Sequence, residues 1–186
     1  PGFAAAYISL ADAGLFVAEY EGTQDRQARF EAALRRGQEL VEKALALDPD
    51  NGDAYLARAH LAAFDDLAAA EADYRRGLEL SPNSAKGYAG LATVLYETPS
   101  RREEALEMLE RARKLDPLEP AHDVTKAVFL MYERGDVVAA AELLGEVLNE
   151  HPQYLPALQR MCEVRFLMGL LADGIPYCEQ ALALDP

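Results

Sequence analysis

Six of the ten prolines, Pro1, Pro49, Pro82, Pro117, Pro152 and Pro186, set the frame of this 186-residue chain. The last four intervals are 33, 35, 35 and 34 residues, so four segments of near-constant length lie end to end. A period in this range belongs to stacked repeats, in which each unit buries its apolar face only against its neighbours. The first interval, 48 residues, is one period plus a 14-residue insertion. The expected units are therefore 1–49, 50–82, 83–117, 118–152 and 153–186, forming one array. Both termini fall at the same point of the repeat, so the chain is expected to be part of something longer.

Counting back from each closing proline exposes one helix per unit. Twelve residues before it stands Gly37, Ala70, Ala105, Ala140 or Gly174; eight before, Val41, Tyr74, Leu109, Leu144 or Cys178. Five before stands Ala44, Gly77, Ala112, Val147 or Ala181, and two before Leu47, Leu80, Leu115, Glu150 or Leu184. Small residues at helical spacing let helix axes approach, large ones fill the gaps, and the proline stops the helix. Counting forward gives the partner helix: Tyr7, Leu10, Ala11 and Gly14; Tyr55, Arg58, Ala59 and Ala62; Tyr88, Leu91, Ala92 and Leu95; Leu158, Met161, Cys162 and Arg165. The fourth unit fits one residue later, as Val124, Ala127, Val128 and Met131, the extra residue being assigned to the Pro117–Pro120 connection. The first unit reads as a lengthened hairpin, helices over 3–20 and 25–47 turning at Gly22–Gln24, because seven residues per helix is close to two whole turns.

These recurring positions, with the endings ALALDP, LELSP and KLDP, resemble the tetratricopeptide-repeat family over essentially the whole chain. The resemblance implies an all-α, right-handed superhelical solenoid of five antiparallel helix pairs, with first helices lining a concave groove. Arg58 and Arg165 depart from the family's apolar preference and are expected to pack their stems and expose their guanidinium groups.

The groove geometry that the resemblance implies nominates Lys86, Thr93, Tyr96, Lys126, Phe129, Tyr132, Gln159, Arg160, Glu163 and Phe166 as peptide-contacting residues, with Leu56, His60 and Phe64 nearby. Lysine is scarce in this acidic chain, so Lys86, Lys126 and Arg160 point to a peptide or protein partner carrying acidic groups. The family's two-lysine, two-asparagine, one-arginine clamp for chaperone C-termini maps onto Ile8, Asp12, Ala57, Lys86 and Gly90, where only the lysine survives.

Other chemistry is thin. The net charge of −14, from 32 acidic and 18 basic residues, repels polyanions and argues against nucleic acid. No 18-residue uncharged apolar stretch occurs, so no membrane span is expected. His60, His122 and His151 lack ligand spacing, which predicts no metal, and no cofactor or catalytic fingerprint appears. Arg134–Gly135–Asp136 reads as a turn, glycine permitting it and aspartate capping the next helix. Two cysteines make no disulfide framework, so Cys162 and Cys178 are expected to be buried inert thiols in a reducing, cytoplasmic setting.

The functional expectation is a non-enzymatic scaffold that binds a peptide or partner domain in its groove. The alternative is a regulatory or oligomerisation segment of a multidomain bacterial signalling protein, such as a cyclase or transcriptional regulator. The apolar residues of the last helix also suggest a homodimer through an open array end.

Overall fold

The computed structural model describes residues 4–11 and 26–184 of the chain. The described residues contain helices and turns but no strand. Residues 4–11 are helical (α1), followed by α2 (Arg26–Leu47), α3 (Gly52–Ala62), α4 (Leu67–Leu80), α5 (Ala85–Tyr96) and α6 (Arg102–Leu115). Then come α7 (Pro120–Phe129), which continues as a π-helical turn over Leu130–Arg134, α8 (Val137–Glu150), α9 (Leu155–Leu167) and α10 (Leu171–Leu184). The expected long second helix of the first unit is present as α2, 22 residues. The predicted turn at Gly22–Gln24 and most of the helix over 3–20 lie outside the described residues.

Helices α3, α5, α7 and α9 each begin three residues after a proline, and in the first three the residue just before the helix caps it. Asn51 Oδ1 accepts from the Ala54 N–H at 3.0 Å and Ser84 Oγ from that of Gly87 at 3.1 Å. Glu119 performs the same task for Ala121. Each side-chain cap satisfies a donor that the first turn cannot pair internally. Helices α4, α6, α8 and α10 are all 14 residues long and end two residues before a proline. The differences in repeat length therefore fall at the turn inside each unit. It is short at Ala63–Asp66, carries a 3₁₀ turn at Pro99–Arg101, and in the next unit takes the form of the π turn at Leu130–Arg134.

This corrects the register expected for the fourth unit. Helix α7 starts at the same distance from its proline as its counterparts, so no residue is absorbed in the Pro117–Pro120 connection. Ala127 lines up directly with Ala59 and Ala92, and all three are fully buried. Phe129 lines up with Leu61, Val94 and Val164, which are likewise buried. The Leu47 position fails too: Leu47 and Leu184 are 61% and 43% exposed. Steps of four, three and three residues rotate about 80° away from the starting face, so the last position has left the core. Leu45 and Leu78, four before the proline, are buried instead.

The chain divides into two compact units, Pro1–Met108 and Leu109–Pro186. In the first, Ala4, Ala11, Leu40, Val41, Ala44, Ala54, Ala57 and Leu61 form a core against which Phe30 and Tyr55 pack. In the second, Val124, Ala127, Met131, Ala140, Leu144, Val147, Ala157, Met161 and Val164 do so. Arg58 is not a free surface cation: its Nε and Nη2 reach both oxygens of Asp73 at 2.7 and 2.8 Å, and Nη1 reaches Glu42 at 3.0 Å. Its charge ties α3 to α4 and α2. For Arg165, Nε is buried without a partner, so the packed stem extends further than expected.

A second ionic cluster in the first unit joins Arg75 and Arg101 to Glu71 and Glu104. Arg101 meets Glu71 at 2.6 Å and Glu104 at 2.8 Å, and Arg75 meets Glu71 at 2.8 Å. The hydrogen bond from Arg101 holds the Glu71 carboxyl below its ordinary pKa against the opposing effect of burial, with Arg75 assisting. Glu104 is lowered by Arg75 first and Arg101 second. Carboxyls depressed in the folded state stabilise it above their unfolded pKa of about 4.3, and that contribution is lost as pH falls through the lower folded value. Urea midpoints should accordingly drop between pH 6 and pH 3, and the Glu71→Gln/Glu104→Gln variant should lose part of that drop. An identical pH slope in the variant would show that the cluster contributes nothing.

Candidate functional site

The π turn that ends α7 places Tyr132 where its ring is 53% exposed and its hydroxyl donates to Glu163 Oε1 on α9. Arg160, one turn earlier on α9, donates to Glu163 Oε2 at 2.7 Å. Glu163 thus joins a phenol and a guanidinium. Its hydrogen bond, followed by burial, raises the Tyr132 pKa above the ordinary value. Gln159, Arg160, Glu163 and Phe166 share one side of α9 by helical spacing, and Phe166 is 41% exposed. The sequence-nominated Tyr132, Gln159, Arg160, Glu163 and Phe166 therefore make one surface in the second unit, with two exposed rings and a hydrogen-bonded polar centre.

Other nominated residues fare differently. Phe129 is only 4% exposed and belongs to the buried row of its helix, which removes it from any contact surface. Leu56 is buried as well, seated where Gly77 and Gly87 lack side chains; a Cβ on either would lie 2.5 or 2.9 Å from Leu56 Cδ2. Lys126 is paired with Glu110 at 2.5 Å, and Arg113 approaches the same carboxylate at 3.2 Å. Burial pushes the Glu110 pKa up, but Lys126 and Arg113 outweigh it and hold it low. The cations that suggested an acidic partner are thus largely answered within the chain. Lys86, Thr93 and Tyr96 lie in the first unit. Lys86 and Thr93 are exposed, Thr93 donating to the Ala89 carbonyl at 3.1 Å, while the Tyr96 ring lies 5.1 Å from the Arg102 guanidinium.

Arg134–Gly135–Asp136 is the turn that its composition suggested. Gly135 adopts φ 61°, where a glycine is needed, and Asp136 Oδ1 accepts from the Ala139 N–H at 3.0 Å to cap α8.

The largest departure from the sequence reading is at the cysteines. Cys162 of α9 and Cys178 of α10 are joined as a disulfide, with Cα atoms 5.2 Å apart. Their places on the two paired helices were legible in the repeat, and their separation suits a disulfide without backbone movement. The expectation of inert thiols is overturned.

Among the described residues no helix is long and apolar enough to cross a membrane. No family model matches the sequence, and no curated protein matches it. Solved structures do resemble it. The Pseudomonas aeruginosa pilF structure superposes with a TM-score of 0.77 at 19% identity, covering 100% of this chain and 78% of that one. TTC0263, a thermophilic TPR protein of Thermus thermophilus, gives 0.74 at 17% identity, covering 95% and 92%. PilW, a widely conserved type IV pilus biogenesis factor, gives 0.72 at 21% identity, covering 94% and 77%. Taken with the proline-ended helix pairs, these likenesses show that the chain has the tetratricopeptide-repeat fold.

Proposed function

We propose that this chain is a non-catalytic scaffold that binds a peptide or protein segment. The observation that carries this is the surface of Tyr132, Gln159, Arg160, Glu163 and Phe166, which leaves two aromatic rings exposed beside an ordered polar centre. Exposed aromatics held by their surroundings bury large area at low entropic cost. Arg160 is 42% exposed and uses one of its donors on Glu163, so it keeps donors for a partner carboxylate. Lys126, already paired and 28% exposed, contributes less. Proteins retained by the native chain should fall at least tenfold on the Tyr132→Ala/Phe166→Ala variant and persist on Glu142→Lys/Glu146→Lys. An unchanged set of captured proteins would refute the surface.

A second reading, assembly through the end of the array, is favoured by Leu171, Ile175, Leu182 and Leu184, all 43–65% exposed on α10. A homodimer through this helix would shift the scattering mass with concentration. The disulfide supports an oxidising compartment over the cytoplasm.

A further inference from the structure

The first unit carries a second surface of opposite electrostatic character. An open hollow of about 390 Å³ lies where the α3–α4 turn meets the C-terminal end of α5, lined by Phe64, Asp65, Leu67, Thr93, Val94 and Glu97. Val94 is buried, whereas Phe64 and Leu67 are 52% and 43% exposed. The Phe64 ring is not loose. Phe30 meets it edge-on at 5.1 Å between centroids and His60 at 5.7 Å. A ring fixed in advance loses little freedom when a partner covers it.

The electrostatics at the rim are one-sided. Asp65 and Glu97 stand on different elements and make no ion pair among the described residues. Elsewhere in the same unit Glu42, Asp73, Glu71 and Glu104 all hold arginines. Helices α3 and α5 both end here, at Ala62 and Tyr96, and helix C-termini carry partial negative charge. The opposing N-terminus of α4 is already answered by Asp66, which accepts from Ala68 and Ala69.

We infer that this hollow is a docking site for a cationic peptide segment, one that seats an apolar side chain against Phe64 and Leu67 between lysine or arginine residues that face Asp65 and Glu97. The site is independent of the Tyr132–Phe166 surface and selects the opposite charge. It lies at the turn end of the hairpin, where neighbouring repeats differ in length.

The chain has no tryptophan, so the indole of a lysine–lysine–tryptophan–lysine–lysine peptide reports binding directly. Its fluorescence should shift on titration with the intact protein, whereas a glutamate-flanked counterpart should not respond. Asp65→Lys/Glu97→Lys should weaken binding at least tenfold. Glu142→Lys/Glu146→Lys, which changes the net charge equally, should leave it within twofold. Thr93→Tyr, which occupies the hollow without altering charge, should also weaken it at least fivefold. No binding by the lysine-flanked peptide, equal losses in the two charge-reversed proteins, or equal binding of the glutamate-flanked peptide would each overturn the assignment.

Discussion

Reduction of the Cys162–Cys178 bond should release α10 from the array while leaving the first unit intact. Helix α10 is poorly held by other means. It buries only Gly174 and Ala181, whereas α4 and α8 each bury four residues. Pro176 lies inside it and removes one helical hydrogen bond. A bridge spanning 16 residues is worth about 3 kcal/mol through the entropy of the unfolded chain. That is comparable to what a well-buried leucine supplies, roughly 2–3 kcal/mol, and α10 has no fully buried leucine to replace it. Cys162→Ala/Cys178→Ala, or treatment with a phosphine reductant, should therefore speed amide exchange across Leu171–Leu184 by about a hundredfold. Exchange in α3 and α4 should not change. If α10 keeps its protection without the bond, the disulfide is incidental to its docking.

Gly90→Val should destabilise the first unit by about 2–3 kcal/mol. A Cβ at this position would lie 2.4 Å from both Cζ and Oη of Tyr74 and 2.5 Å from Cε1. Tyr74 is 4% exposed, so its ring has no solvent to retreat into. Helical propensity favours replacing a glycine, by about 1 kcal/mol for alanine and less for valine, and cannot offset such an overlap. The cause can be isolated. In a double-mutant cycle, Tyr74→Ala should recover at least about 1 kcal/mol of the loss, because it removes the obstructing ring. Additive losses in chemical denaturation would place the damage elsewhere.

Most of the architecture was visible in the spacing of prolines. Pro49, Pro82, Pro117 and Pro152 fix where every subsequent first helix begins, and small residues such as Ala70, Ala105 and Ala140 mark its partner. The register of the fourth unit was misleading, since Asp123 and Lys126 hold the unshifted positions whereas Val124 and Met131, one residue later, are apolar and buried. Only Ala127, at the close contact, distinguishes the two frames. The surface residues were partly legible. Tyr132, Arg160 and Glu163 were nominated individually, but their mutual hydrogen bonds depend on a π turn that no residue of Leu130–Arg134 announces. Phe129 was misplaced because the rule for groove positions did not anticipate a buried row through Leu61, Val94 and Val164. Ion pairs between helices were hidden for a simpler reason: Arg58 and Asp73 are 15 residues apart, a distance only the folded hairpin closes.

In the last four units the constant 14-residue second helices confine length variation to one end of each hairpin. Selection can therefore rewrite that end by insertion, deletion or a change of turn type without renegotiating the contacts between helices. A lineage of such chains could keep its framework while its loop margin diversifies, much as an alphabet keeps its baseline while the letters change.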